Sequence, residues 1–373
     1  MAKHELETTA RRLLAEVGIT VNGPNPWDMQ VKDDRFYARV FAEGTLGFGE
    51  SYMDGWWDSG RLDDTMTRIL SGHLHERLPR NLKTLRLFLE SKWTNRQNKK
   101  RAWIVGDQHY NLGNDLFAAT FDSRLTGSCG YWKDATDLDA AQDAKLDLIC
   151  RKIGLKEGQT VFDIGCGWGA FMGFAAEKYG ARCTGVTISS EQVAYVSERY
   201  GHLSVEARLM DYRDATGEFD HVVSMGMFEH VGPKNYKSFF EVADRLLKDD
   251  GLFLLHTIGS NKSSDAIDPW MDKYIFENGV LPSVAQVGTA IEDLFVVEDW
   301  HNFGADYDKT LMAWHEKFES NWDSLKDSYD DRFYRMWKFY LLACAGGFRA
   351  RNIQLWQVVL AKHGISGGYT PVR

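Results

Sequence analysis

Hydrophobic and polar positions follow two different patterns along the chain, and the change falls at about residue 103. Beyond it, short apolar runs alternate with longer stretches whose apolar residues recur at a helical period. This alternation is typical of an α/β protein with a doubly wound, mostly parallel, seven-stranded sheet. The predicted strands are 160–164, 183–187, 205–210, 221–226, 252–258, 296–302 and 356–361.

Helical periodicity predicts a helix over 234–247 and two longer ones near the end, over 308–325 and 330–351. The segment 259–290 follows the fifth predicted strand. It is long enough to form a cap over a site at the edge of the sheet.

Residues 1–90 predict a small, mainly helical domain that precedes the sheet. Leu6, Ala10 and Leu13 lie on one helical stripe. Residues 35–60 are rich in glycine and aromatic side chains, which favours loop over helix. We expect a basic linker at 91–102 and one α/β domain at 103–373.

The net charge of −9 is unevenly distributed. Residues 77–101 contain nine basic residues and one acid, so this window carries +8 and the remainder −17. Its leucines follow one helical stripe, and a basic amphipathic segment is suited either to an anionic lipid surface or to a solvated linker helix. The acidic remainder disfavours nucleic acid as a partner.

The chain has 373 residues, enough for one large or two ordinary domains. Its five cysteines form no C-x-x-C pair and no zinc spacing, so we expect a reduced cytoplasmic compartment and no metal site. The N-terminus lacks the apolar core of a signal peptide, and no apolar run approaches the length of a membrane span.

The segment Asp163-Ile-Gly-Cys-Gly-Trp-Gly169 lies between a predicted strand and a predicted helix. Glycine at 165 and 167 permits a tight turn and lets a ligand approach the peptide N–H groups at the helix start. The same spacing fits a dinucleotide site, but that site needs an acid at the end of the second strand, which here ends in Thr187-Ile-Ser-Ser190. With Asp211 after the third strand, the pattern resembles the class I S-adenosylmethionine methyltransferases.

Two ionisable residues come directly after neighbouring strands. Glu229 follows the fourth predicted strand, and His256 lies at the end of the fifth. Because ligands bind beyond the carboxyl ends of parallel strands, both should face the cofactor, where a carboxylate and an imidazole can relay a proton. The alternatives are a helix cap for Glu229 and a histidine hydrogen-bonded within the protein for His256.

Several blocks together resemble one family, the bacterial cyclopropane-fatty-acyl-phospholipid synthases. The resemblance runs from about residue 10 to residue 361. The blocks are Gly49-Glu-Ser-Tyr-Met-Asp-Gly-Trp-Trp57, Gly113-Asn-Asp115, Ser128-Cys-Gly-Tyr-Trp132, Asp163-Ile-Gly-Cys-Gly-Trp-Gly169, Gly226-Met-Phe-Glu-His-Val-Gly-Pro-Lys234, Leu255-His-Thr-Ile-Gly259, Trp300-His-Asn-Phe-Gly-Ala-Asp-Tyr307 and Gln354-Leu-Trp-Gln357.

The resemblance implies transfer of a methylene group from S-adenosylmethionine to a cis double bond in a phospholipid acyl chain, which forms a cyclopropane ring. A bound bicarbonate is then the proton acceptor. The resemblance assigns it to the side chains of Glu229, His256 and Tyr307 and to backbone groups of Cys129 and Ile258.

For the cofactor, the resemblance implies three groups of contacts around the loop that Asp163 opens. Ser128, Gly165 and Gly167 match the methionine part, Thr187 and Gln192 the ribose, and Asp211 and Tyr212 the adenine. One position departs from the family pattern, since Gly127 stands where members commonly have Tyr. The loss of that phenol predicts weaker cofactor binding.

The resemblance also implies a homodimer that associates peripherally with the inner face of the cell membrane, with the N-terminal domain involved in lipid or dimer contacts. Two other functions are compatible with the residues. One is a methyltransferase of the same fold that acts on an amine or other small acceptor. The other is a membrane-binding protein without turnover, which the joint presence of Glu229, His256 and Tyr307 disfavours.

Overall fold

The computed structural model describes residues 3–77, 97 and 114–373. Apart from residue 97, the predicted linker 91–102 therefore lies outside the described residues, as does most of the basic window 77–101. In chain order the elements are α1 (Lys3–Glu16), β1 (Gln30–Val31), α2 (Arg35–Glu43), α3 (Thr45–Met53), β2 (Trp57–Asp58), α4 (Leu62–Ser71), α5 (Asn114–Thr120), α6 (Leu138–Lys152), β3 (Thr160–Ile164), α7 (Ala170–Tyr179), β4 (Arg182–Thr187), α8 (Ser190–Tyr200), β5 (Val205–Leu209), β6 (Phe219–Met225), α9 (Tyr236–Leu246), β7 (Leu247–Ser260), α10 (Pro269–Tyr274), α11 (Val284–Ile291), β8 (Val296–Asn302), α12 (Ala305–Leu325), α13 (Asp331–Arg349) and β9 (Ile353–Ala361).

The chain divides into two compact units built from alternating segments. The described part of the first unit comprises residues 3–77, 265–278 and 307–353. The described part of the second comprises residue 97 and residues 114–264, 279–306 and 354–373. The sequence predicted continuous domains instead, because apolar periodicity carries no information on which distant segments pack together.

The second unit contains the seven-stranded sheet, in the order β5-β4-β3-β6-β7-β9-β8. β3 pairs in parallel with β4 and β6, β4 with β5, and β6 with β7, while β8 runs antiparallel to β9. The predicted fold class is confirmed. The strand order reverses at β3 and β6, so this is where the carboxyl ends of the strands open a crevice.

The central strands of the sheet are covered on both faces, which explains why β3, β7 and β9 contain mostly buried apolar residues. Successive residues point to opposite faces. Phe162 and Phe253 pack with α9 on one face, and Val161 and Leu254 pack with α7 on the other. The alternating apolar side chains of β3 and β7 therefore hold the helical layers on both faces of the sheet.

Most predicted strands agree with the observed ones to within three residues, but β7 begins five residues earlier than expected. Phe219 of β6 pairs with Leu247, whereas His221 pairs with Leu252. Three extra residues of β7 are accommodated in this irregularity. They include Asp249 and Asp250, whose polar side chains hide the early start of the strand from pattern analysis.

The prediction of loop over 35–60 was wrong, since α2 and α3 occupy most of it. Gly47 and Gly49 lie inside α3 because neighbouring groups leave no space for a side chain. A Cβ atom at Gly49 would lie 2.4 Å from the ring of Trp270, and one at Gly47 would lie 2.7 Å from the carbonyl oxygen of Arg39. Close packing here outweighs the low helix propensity of glycine.

The predicted cap 259–290 is divided between the two units. Residues 265–278 belong to the first. In the second, Val287, Ala290 and Ile291 of α11 are buried in the core cluster that includes Phe239 and Phe240 of α9. This part of the segment is therefore a layer of the sheet's own core, and the cap stays a prediction for the rest of the segment.

Candidate functional site

The glycine loop joins β3 to α7 by a sharp turn. Gly165, Gly167 and Gly169 have φ values of 83°, 53° and 74°, which other residues rarely adopt. The loop is anchored to β4, because the N–H groups of Gly165 and Cys166 donate to the carbonyl of Val186 at 3.1 and 3.0 Å. A Cβ at Gly167 would meet no atom within 4 Å, so the space beside this residue is open to a ligand.

Asp163 is the penultimate residue of β3, two positions before the first glycine of the loop, and is 2% exposed. Its Oδ1 atom has no hydrogen-bond partner among the described residues. Burial raises the pKa of this carboxyl to about 7, and the nearby Lys145 opposes the rise. A polar atom left unsatisfied beside a glycine turn indicates that a ligand completes the site.

The ends of β4 and β5 supply the next predicted contacts. The Thr187 hydroxyl donates to Oε1 of Gln192 at 2.5 Å, which leaves Nε2 of Gln192 buried without a partner among the described residues. Asp211 is held by the guanidinium of Arg213 through two bonds of 2.8 Å. Arg213 is a participant that sequence reasoning missed.

Tyr212 packs against the ring of Phe239, with centroids 5.5 Å apart, and is 7% exposed. Burial raises the pKa of its phenol to about 12. The side chain therefore belongs to the core face of the sheet. Because most of Tyr212 is buried, only its small exposed part could contribute to an adenine site.

Glu229 lies in a short 3-10 helix, Phe228–His230, just after β6. Its Oε1 accepts the N–H of Ile258 in β7 at 2.7 Å, while Oε2 is buried without a partner among the described residues. Burial raises the pKa of this carboxyl to about 7, opposed by the bond from Ile258. The backbone N–H that the family resemblance assigns to an anion is thus occupied by Glu229 here.

His256 lies in β7 and is fully buried. Burial lowers the pKa of its imidazole well below the usual value, and the positive charges of Lys145 and Lys152 lower it further. Its Nδ1 lies 3.3 Å from the side-chain nitrogen of Gln357 in β9. With Gln357 as donor, the proton of the neutral ring is on Nε2, which has no partner among the described residues.

Ser128 and Cys129 lie at the same edge of the sheet, since a Cβ at Gly226 would be 3.8 Å from the Cβ of Ser128. The carbonyl of Ser128 accepts the side chain of Gln142 at 2.8 Å, and its hydroxyl accepts Nζ of Lys145 at 2.9 Å. Both donors come from α6, and sequence reasoning missed both. Cys129 is fully buried.

Gly127 lies against Phe121, whose ring would be 3.3 Å from a Cβ at this position. The ring therefore occupies space beside the backbone that a larger residue would need. Within this chain, a tyrosine at position 127 requires Phe121 to move.

Tyr307 belongs to the first unit and is 5% exposed. Its ring stacks on Phe348 at 4.5 Å and meets Trp314 edge to face at 5.9 Å. The other predicted site residues belong to the second unit. The role of Tyr307 stays a prediction that rests on the sequence.

Among the residues that the structure describes, no group of three or more His, Cys, Asp or Glu side chains is placed to hold a metal ion. All five cysteines are free, and Cys344 is the least buried of them. Over the same part of the chain, no helix is both long and apolar enough to cross a bilayer.

The glycine loop and the strand-end acids on a sheet of this order define a class I methyltransferase that uses S-adenosylmethionine. The open space at Gly167 and the unsatisfied atoms of Asp163 and Gln192 fit that cofactor. When bound, it supplies an electrophilic methyl group on a sulfonium.

Comparisons with known proteins define the family. The model of the mycolic acid cyclopropane synthetase family matches residues 97–358, and this chain belongs to that family. The cyclopropane-fatty-acyl-phospholipid synthase of Escherichia coli K12 is 53% identical over 364 residues, covering 98% of this chain and 95% of that protein. The resemblance inferred from the motifs is confirmed, and the chain is an enzyme.

Solved structures agree with this assignment. The cyclopropane synthase MmaA2 from Mycobacterium tuberculosis has a TM-score of 0.65 and 29% identity, covering 70% of this chain and 98% of that one. The mycolic acid cyclopropane synthase CmaA1, complexed with SAH and CTAB, has a TM-score of 0.64 and 32% identity, covering 69% and 97%.

The raised pKa of Glu229 predicts a measurable cost in stability. A carboxyl of pKa about 7 in the folded state and about 4.3 in the unfolded state binds more protons when folded, so stability falls as pH rises through this window. Glu229→Gln removes the titrating group. We expect the variant to match the wild type near pH 4 and to exceed it by up to roughly 3 kcal/mol at pH 8.

Denaturant unfolding at several pH values between 4 and 8 measures this difference. Glu191→Gln, at an exposed position of α8, is the matched control and should follow the wild type throughout. A constant difference between Glu229→Gln and the wild type across the range would contradict the raised pKa.

Proposed function

We propose that this enzyme transfers a methylene group from S-adenosylmethionine to the cis double bond of an unsaturated phospholipid acyl chain and closes a cyclopropane ring. The name of the Escherichia coli relative and the family description support a lipid substrate. The observation that carries the proposal is the placement of Glu229 and His256 after β6 and in β7, two neighbouring strands of the sheet. Each has one buried polar atom without a described partner at the carboxyl edge of the sheet.

An unactivated alkene is a weak nucleophile, so the chain must hold it in line with the methyl group and exclude water. The depth of burial at Glu229 and His256 matches this need, because both side chains are less than 10% exposed. Methyl transfer leaves a cationic carbon on the acyl chain. A base must then accept a proton so that the new methyl carbon can close the ring.

Glu229 and His256 are proposed to hold bicarbonate as that base. Neutral His256 presents an Nε2–H donor, and ionised Glu229 presents Oε2 as an acceptor for the hydroxyl of the anion. Tyr307 and the backbone groups of Cys129 and Ile258 complete the proposed set. Ile258 can donate to the anion once Glu229 releases or shares its N–H.

Peripheral association with the inner face of the membrane is also proposed, through the first unit. This unit contains a cavity of about 280 Å³ that is lined mainly by apolar side chains of α1, α2, α4 and α13. Protein interiors are otherwise close-packed, and an apolar cavity of this size accepts apolar ligands rather than water. We infer that an acyl chain of a membrane lipid occupies it. A homodimer remains part of the proposal.

The function is tested by incubating the protein with S-adenosylmethionine and vesicles of a cis-monounsaturated phospholipid. We expect the recovered acyl chains to gain one CH₂ by mass, to lose the olefinic signal and to show ring protons by NMR. A lipid recovered unchanged, together with methylation of an added amine, would instead establish a small-acceptor methyltransferase.

The proposed anion site predicts that Glu229→Gln retains cofactor binding yet loses most of its turnover. The amide oxygen would accept the N–H of Ile258, and the uncharged NH₂ group in the place of Oε2 is a donor that cannot accept the hydroxyl of bicarbonate. Depleting bicarbonate should slow the wild type, and adding it back should restore the rate. The measurements are SAH affinity by calorimetry and initial rates in degassed buffer. Full activity of the variant, or indifference of the wild type to bicarbonate, would reject this site.

Filling the cavity tests the lipid association of the first unit. Ala343 of α13 lines the cavity, so Ala343→Phe should reduce binding to phospholipid vesicles several-fold in a sedimentation assay. Ala38→Phe, at an exposed position of α2, is the control and should bind as the wild type does. Equal binding of all three proteins would show that the cavity takes no lipid chain.

A further inference from the structure

Lys145 is a buried ionisable side chain at the cofactor edge of the sheet. It lies in α6 and is fully buried, and its Nζ atom donates to the Ser128 hydroxyl at 2.9 Å and to the Met225 sulfur at 3.0 Å. Among the described residues, no carboxylate forms an ion pair with it. An ammonium group has three donors, so these two weak partners leave it incompletely satisfied.

The other buried lysine of the same helix has the polar partners that a buried ammonium group requires. Lys152 is also fully buried, one heptad further along α6, but its Nζ lies 3.5 Å from a carboxylate oxygen of Asp299 and 3.1 Å from Nδ1 of His301. Lys145 has no such anionic partner. Both lysines lie on the apolar stripe of α6, where an unpaired charge is costly.

Four titratable groups face Lys145 from the surrounding elements: Asp122, Cys129, Asp163 and His256. The carboxylate of Asp122 is hydrogen-bonded within its own loop, since its oxygens accept the N–H groups of Thr126 and Arg124. Burial lowers the pKa of Lys145 to about 7, opposed by the nearby acids. Lys145 should therefore gain a proton when a negatively charged ligand binds beside it.

We propose that Lys145 is the cationic group that binds a carboxylate-type anion at this edge of the sheet. Two ligands of the proposed function carry that chemistry, the α-carboxylate of S-adenosylmethionine and bicarbonate. Contact with Ser128, which the family resemblance assigns to the methionine part, favours the α-carboxylate. The proposal rests on the proposed function for the identity of these ligands.

Binding by this route includes a protonation step. The neutral amine takes one proton from solvent and becomes an ammonium, which then donates to the carboxylate without any covalent change. At pH 8, above the pKa of the empty site, anion binding should therefore be accompanied by net proton uptake.

Calorimetric titration of the full-length protein with SAH tests the proposal without requiring turnover. At pH 8, titrations in buffers of different ionisation enthalpy give the number of protons taken up. The comparison ligand is 5′-methylthioadenosine, which keeps the nucleoside and thioether but lacks the carboxylate. The variants are Lys145→Met and Lys145→Gln, with Lys152→Met as the matched buried control.

We expect Lys145→Met to weaken SAH binding roughly tenfold to a hundredfold, to abolish proton uptake and to leave the affinity for 5′-methylthioadenosine unchanged. Lys152→Met should leave SAH binding unaltered. If Lys145→Met does not fold, Lys145→Gln, which retains a donor for Ser128 but not the charge, should give the same selective loss.

The two anions are distinguished by a second measurement. If SAH binding is unchanged in the variant but the bicarbonate concentration for half-maximal rate rises at least tenfold, Lys145 serves bicarbonate instead. Unchanged behaviour in both assays would overturn the proposal. Equal loss of SAH and 5′-methylthioadenosine would also overturn it, because only a structural role predicts that result. If the enzyme does not form cyclopropane, the proposed function fails, but the SAH titrations still test the role of Lys145.

Discussion

Burial of polar groups without partners is the constraint on which the site depends. Asp163, Glu229 and His256 lie at the carboxyl edge of one sheet, and each has a buried polar atom with no described partner. Such atoms cost free energy in a folded protein unless a ligand completes them. The fold tolerates them because both faces of the sheet bury large apolar clusters that hold the strand ends in place.

The same burial determines protonation. It raises the pKa of Glu229 to about 7 and lowers that of His256, so near neutral pH the empty site holds a partly protonated carboxyl and a neutral imidazole. A neutral imidazole can donate one hydrogen bond without placing a second full charge beside a sulfonium. Burial also lowers the pKa of Lys145, so the charge of this side chain depends on the ligand that binds beside it. A dry, preorganised pocket of this kind suits chemistry that passes through a carbocation.

Much of the second unit could be predicted from the sequence, because its strands are buried on both faces and give continuous apolar runs. The glycine turn and the strand-end residues Glu229 and His256 followed from the same reasoning. Lys145 and Gln357 could not be identified in this way, since their partners come from other elements. One signal was available: Lys145 lies on the apolar stripe of α6 with Ala141 and Ile149, where a solvated lysine is out of place.

The first unit was harder to predict because it is assembled from three separate segments. Gly47 and Gly49 suggested loop, and only the packing of Trp270 and the Arg39 carbonyl explains why they lie in a helix. The charge-rich window 77–101 is the sequence feature that bears most on the proposed membrane association, and most of it lies outside the described residues.

Burial keeps His256 neutral, and its bond to Gln357 keeps the proton on Nε2, from which the ring can donate to an anion. The most direct test is to follow the imidazole nitrogens of His256 by ¹⁵N NMR from pH 5 to pH 8. We expect a single neutral Nε2–H form throughout, with a shift of the Nε2–H proton when bicarbonate is added. Formation of imidazolium near pH 6.5, or protonation on Nδ1, would contradict it.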